Sequence, residues 1–230
     1  LYFFRHIKAE RLVHGHENFE VYVDSPLAVE ATHVFKQNQL ECYDDETREL
    51  VSQGINPISF PGLKLSITSD ESVAINFDTK PKVIISASGM CDAGRIRHHL
   101  KHNLWRPECT VVFAGYQAEG TIGRSLTEGA ETVRLFGETI DVKAHIETLH
   151  DISGHADQDG LLEWADGFEK KPRQYFIVHG SDDVCDRFAA LVTDRTGVPA
   201  RAPFSGAEYD LLRGVWVSDP AGVPIPAKQG

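Results

Sequence analysis

An α/β fold built on a parallel sheet is what this sequence predicts, and three observations predict it. Four short runs, at 19–25, 81–88, 109–116 and 173–180, are rich in β-branched and aromatic residues and nearly continuous in apolar character. That is how strands buried on both faces read. Helical spacing separates the runs, and the connections are short, as in crossover units.

The first run, FEVYVDS, ends in Asp24-Ser25-Pro26 and gives way to Ala28, Val29, Ala31, Val34, Phe35 and Leu40 at three- and four-residue spacing, a helix reaching about Tyr43. PKVIISAS is followed by Ile96, Leu100 and Leu104 at four-residue steps. After CTVVFAGY the pattern changes. From 131 to 152 apolar and polar residues alternate around Gly137, which fits an antiparallel hairpin with one wet face. Leu161, Leu162, Ala165 and Phe168 form a further helical stripe. RQYFIVHG is the fourth strand, and Val184, Phe188, Leu191 and Val192 the last helix. From about 216 three prolines and little periodicity read as an extended tail.

The 230 residues, 41% of them hydrophobic, suffice for one large domain or two small ones with a real core. No apolar run approaches the roughly 18–20 residues of a membrane helix, and no signal-peptide pattern is present. Cys42, Cys91, Cys109 and Cys185 are widely spaced and form no C-x-x-C pair, so they read as reduced thiols of a cytosolic, cytoplasmic protein. The net charge of −11 argues against a polyanionic partner. Its distribution softens that. Residues 80–124 hold seven Lys and Arg against three acids, a local +4 that leaves −15 elsewhere. Such a face can track phosphates, or be an ordinary solvated helix surface.

Ligands of parallel α/β sheets gather at the carboxyl ends of strands. There the sequence places Asp24, Ser86, Ser88, Gly89, Gly115, Tyr116, Gln117, His179 and Gly180. Asp24 or Ser25 also suits as a helix N-cap with Pro26 at the first helical position. SASGMCDAGR (86–95) is a small-residue turn that lets a backbone approach a ligand. It lacks G-x-S-x-G, so Ser88 is a poor nucleophile. GYQAEGTIGRSL (115–126) has the glycine spacing of a phosphate loop, but Thr121 stands where that motif needs Lys. In SGHAD (153–157), Asp157 can cap a helix starting at Gln158. In IVHGS (177–181), Ser181 with Asp182 and Asp183 can open another. Each histidine there suits either an anionic substrate beside a metal or a hydrogen-bonded structural role.

Taken in order, VYVDSP, SASGM, GYQAEGT, SGHAD and VHG resemble the β-CASP branch of the metallo-β-lactamase superfamily, which includes RNA 3′-end processing endonucleases and bacterial and archaeal ribonucleases. The resemblance covers about residues 10–212. It implies a Rossmann-like parallel sheet with flanking helices, the β-CASP domain, at 1–130. The carboxyl-terminal part of a metallo-β-lactamase αββα domain follows at 131–215, and a tail at 216–230. It implies that Asp24 orients histidines of the active site, that His155 contacts the scissile phosphate and protonates the leaving oxygen, and that Ser153 binds a phosphate oxygen. His179 would ligate one of two zinc ions in a metal-hydroxide hydrolysis of RNA. Ser88, Gly89, Arg95, Tyr116 and Gln117 would contact the strand. A histidine at 179 favours RNA over DNA within the family. Gly154 and Ser181 depart from the usual alanine and glutamate.

The family draws most of its zinc ligands from an H-x-H-x-D-H run, and none occurs here. HGHEN (14–18) has no following Asp-His. The expectation is a carboxyl-terminal portion of a zinc-dependent ribonuclease that by itself binds zinc poorly or not at all and is inactive. Its apolar surface would invite a homodimer, and RNA would be the partner, with no membrane. A non-catalytic scaffold subunit on the same fold, or a DNA-acting nuclease, are the other readings.

Overall fold

The computed structural model describes residues 1–149 and 154–222 and divides the chain into two compact units, 1–152 and 153–230. In the first unit α1 (Tyr2–Ala9) precedes β1 (Glu20–Asp24), α2 (Pro26–Gln37), α3 (Gln39–Cys42) and α4 (Asp45–Ser52). Then come β2 (Leu63–Leu65), α5 (Ser69–Phe77), β3 (Lys82–Ser86) and α6 (Ile96–Asn103). The unit closes with β4 (Thr110–Phe113), α7 (Ile122–Thr127), β5 (Thr132–Leu135), β6 (Glu138–Asp141) and β7 (His145–Thr148). The second unit runs α8 (Gln158–Asp166), β8 (Tyr175–Phe176), α9 (Asp182–Thr196), β9 (Ala200–Arg201), β10 (Glu208–Asp210) and β11 (Val215–Ser218).

β1 lies between β2 and β3, parallel to both, with Val21 opposite Leu63 and Val83. Val21 and Val23, on one face of the central strand, are buried, while Glu20 and Tyr22 on the other face are half-buried. The register sets Asp24 opposite Ser86, so the first two run-ending polar residues sit side by side. Ser25, in extended backbone, caps α2 by accepting from the Ala28 N–H, and Pro26 occupies the first turn. The cap being Ser25, the Asp24 carboxylate is left for other partners.

β4 pairs parallel with β7, and β5 with β6 as an antiparallel hairpin turning at Phe136-Gly137. The alternating stretch is therefore a hairpin only as far as Asp141. Beyond it the chain passes the end of α6, where the Lys143 and Ala144 N–H groups donate to the Leu104 carbonyl, and then pairs with β4. Leu100, Leu104, Phe113, Leu126, Val133 and Leu135 form the core of this region. Truncating one of these leucines to alanine costs about 2–5 kcal/mol.

In the second unit β8 and β9 are parallel and β10 and β11 antiparallel. Ala165, Tyr175, Val192 and Val198 are its core, and the Tyr175 hydroxyl donates to the Ala165 carbonyl at 2.8 Å. Asp157 caps α8 through the Gly160 N–H at 2.9 Å. α9 ends at Gly197 in the left-handed region. The run 173–180 contributes only two ladder residues. Trp216 lies in β11, so regular structure reaches further than the proline-rich composition indicates. Among the described residues no helix is long and apolar enough to cross a membrane.

Candidate functional site

In the first unit the polar centre is Asp24, fully buried at the end of β1. Its Oδ2 accepts from Ser72 Oγ at 2.5 Å and from His99 Nε2 at 2.6 Å, and its Oδ1 from Arg95 Nη1 at 2.7 Å. Arg95 also donates to the carbonyls of Ser66 at 3.2 Å and Ile67 at 2.6 Å. One guanidinium thus ties the end of β1 to the segment leaving β2. α5 supplies Ser72 and Asn76, and its start is fixed by a reciprocal capping box between Thr68 and Glu71.

Burial by itself would push the Asp24 carboxyl up. The hydroxyl of Ser72, then His99 and Arg95, outweigh it and hold the group below the ordinary carboxylate range. Burial pushes the His99 ring down, and Asp24 opposes this only in part. Nδ1 of His99 lies 2.8 Å from Asn76 Oδ1 while Nε2 faces the carboxylate. As placed, both nitrogens face acceptors and the ring would be an imidazolium. Because Arg95 already balances Asp24, a second buried cation has nothing to offset its desolvation. We assign a neutral ring, with Nε2–H on Asp24 and the Asn76 amide turned by half a revolution to donate to Nδ1.

The loops at the ends of β3 and β4 are bound to each other. Gly123 N–H donates to the Met90 carbonyl at 3.0 Å, and Ile122 N–H to Asp92 Oδ1 at 3.1 Å. Ser88 is half-buried and its Oγ donates to the Ala93 carbonyl at 3.3 Å; Gly89 is exposed. Tyr116 is 71% exposed, whereas Gln117 beside it is buried, its Oε1 without a hydrogen-bond partner among the described residues. A Cβ on Gly123 would fall 1.8 Å from that oxygen, so the third glycine of GYQAEGTIG exists to admit the Gln117 amide.

In the second unit His155 is exposed two residues before the α8 cap, and His179 is exposed just after β8. His179 has φ +69°, a left-handed backbone that non-glycine residues seldom adopt. Gly180 has no room for a side chain, since its Cβ would meet Cys185 Sγ at 2.8 Å. The glycine here serves the buried thiol rather than opening space at the imidazole. Ser153 lies outside the described residues. Asp24, Ser88, Gly89, Arg95, Tyr116 and Gln117 therefore belong to one unit, and His155 and His179 to the other. Sequence reading did not single out Ser72, Asn76 or His99. Asp24 and His99 are 75 positions apart, a pairing no local pattern displays. Among the described residues no three His, Cys, Asp or Glu side chains are grouped to hold a metal ion. The described residues do not by themselves fit a dinuclear zinc centre.

The chain belongs to the Beta-Casp domain family, whose pattern it matches over residues 1–126. Residues 139–203 match the Zn-dependent metallo-hydrolase RNA specificity domain. Ribonuclease TTHA0252 of Thermus thermophilus is 36% identical over 172 residues, covering 74% of this chain and 39% of that protein. The transcription termination factor FttA of Methanosarcina mazei is 29% identical over 192 residues, 79% of this chain and 29% of the relative. The RNase J-like protein of Methanocaldococcus jannaschii is 30% identical over 186 residues, 81% and 41% respectively. The chain thus spans well under half the length of the curated relatives it matches.

Proposed function

We propose that this chain is the carboxyl-terminal portion of a zinc-dependent, RNA-cleaving β-CASP hydrolase. The observation that carries the reading is the ordered set Asp24, His155 and His179 on a chain that matches both the Beta-Casp domain and the RNA specificity domain. Zinc would belong to the longer protein, with His179 as this chain's ligand. In the longer protein His155 delivers a proton to the leaving oxygen, and Ser153 binds a phosphate oxygen. Gly89 and Tyr116 meet the strand, Ser88 and Gln117 shape the loops that present them, and Arg95, expected from the sequence to contact the strand, holds Asp24 and the Ser66 and Ile67 carbonyls instead. Exposed Val112 on β4 of the first unit and, separately, exposed Val178 beyond β8 of the second are apolar side chains that further chain, or a second copy, would cover. The division at about 130, and a cytoplasmic location, are part of the same proposal.

The test is cleavage of matched RNA and DNA oligonucleotides by the longer protein. His155→Ala should abolish RNA cleavage with zinc content retained, and His179→Ala should lower bound zinc. Loss of zinc with His155→Ala, or equal cleavage of DNA, would contradict the assignment.

A further inference from the structure

The exposed face of α6 carries a row of rings that the chemistry above does not use. His98 stacks against Phe136 with centroids 4.5 Å apart and planes 31° apart, and the Arg97 guanidinium lies 4.6 Å from the same ring. One turn on, His102 packs against Phe77 with centroids 5.8 Å apart. Trp105 follows three positions later. Positions 98 and 102 share one face of α6, about 6 Å apart along its axis, and Trp105 lies in the turn that follows the helix. The phenyl and indole rings are solvated: Phe136 is 44% exposed, Phe77 70% and Trp105 53%.

This face is cationic on an acidic chain. α6 contains Arg97 and Lys101 and no carboxylate. Glu138 is neutralised by Lys101 at 2.6 Å. Among the described residues Arg97 has no carboxylate partner, and its Nε is buried without a hydrogen bond. Phe136 sits at the first turn position of the hairpin with φ +52°, ahead of Gly137 at +83°. Such turns favour Asn at that place, so a phenyl ring is held there against local preference.

We infer that this row is a binding track for single-stranded RNA, in which successive bases stack on the Phe136–His98, Phe77–His102 and Trp105 rings and phosphates lie along Arg97, with Lys101 shared between the strand and Glu138. Alternating rings and cations at this spacing is how single strands are held without sequence readout. The inference rests on the RNA reading given above and adds the surface that carries the strand.

The chain titrated with a single-stranded oligouridylate should show quenching of tryptophan emission, lost in Trp105→Phe while affinity stays within about threefold. Phe136→Asn, which suits the turn and leaves the hairpin intact, should weaken binding about tenfold. Arg97→Gln should lower the salt dependence by about 0.7 in slope. An unchanged dissociation constant in Phe136→Asn, undiminished quenching in Trp105→Phe, duplex RNA bound as tightly as the single strand, or no binding at all would each overturn the track. None of these touches cleavage by the longer protein, so the two readings fail separately.

Discussion

Nε2 of His99 lies 2.6 Å from Oδ2 of Asp24, joining α6 to the end of β1 inside a fully desolvated pocket. The folded carboxyl titrates below its ordinary 3.8, and the folded imidazole below its ordinary 6.5. For His99 the unfolded chain takes up the proton first, so stability is complete above about pH 6.5 and falls as the solution is acidified past it. Asp24 contributes stability that persists above 3.8 and is lost only as pH drops through its lowered folded value. Both act in the same direction. Urea midpoints should therefore decline between pH 7 and 5, and His99→Gln should flatten that limb. A midpoint that rises on acidification would show that the ring is charged in the fold.

Arg95 makes the companion case. Its planar fork reaches one carboxylate oxygen and two carbonyls at once, which a lysine ammonium cannot reproduce. Arg95→Lys should destabilise the first unit by about 1–3 kcal/mol. Asp24→Asn, which strands a cation instead, should cost about 3–5 kcal/mol. Denaturation of the purified variants gives both numbers. If Arg95→Lys left stability untouched but weakened RNA binding, the guanidinium would be a strand contact after all.

Much of this was readable from residues alone, and the reasons differ by element. β1, β3 and β4 showed themselves as nearly unbroken runs of β-branched residues, although β4 alternates exposed Thr110 and Val112 with covered Val111 and Phe113. Gly137 marked the hairpin because its turn needs positive φ. β2 escaped notice, being three residues long. α5 also escaped, although Thr68-x-x-Glu71 is a capping box written in the sequence. The candidate site divided the same way. Asp24, His155 and His179 stand in short recognisable strings. His99 lies among His98 and His102 with no local pattern to set it apart, and only the packing of α5, α6 and β1 shows that it is buried. Nor does spacing foretell that Gln117 turns inward, since its cavity depends on Gly123 lacking a side chain.

The strain at His179 yields a prediction that separates stability from function. A left-handed β-carbon costs about 1–2 kcal/mol relative to glycine, and folds retain such residues chiefly where a site demands them. Nothing in the packing of β8 calls for an imidazole: the ring is exposed, and the adjoining Cys185 is accommodated by Gly180. His179→Gly should thus raise the unfolding free energy of the second unit by about 1 kcal/mol, offset somewhat by the greater freedom of an unfolded glycine. His179→Ala should give no such gain, because alanine keeps the strained β-carbon. In the longer protein both substitutions should reduce bound zinc and RNA cleavage together. A glycine variant no more stable than the alanine variant would mean that the backbone at 179 relaxes, and the inference from strain to function would then have no footing.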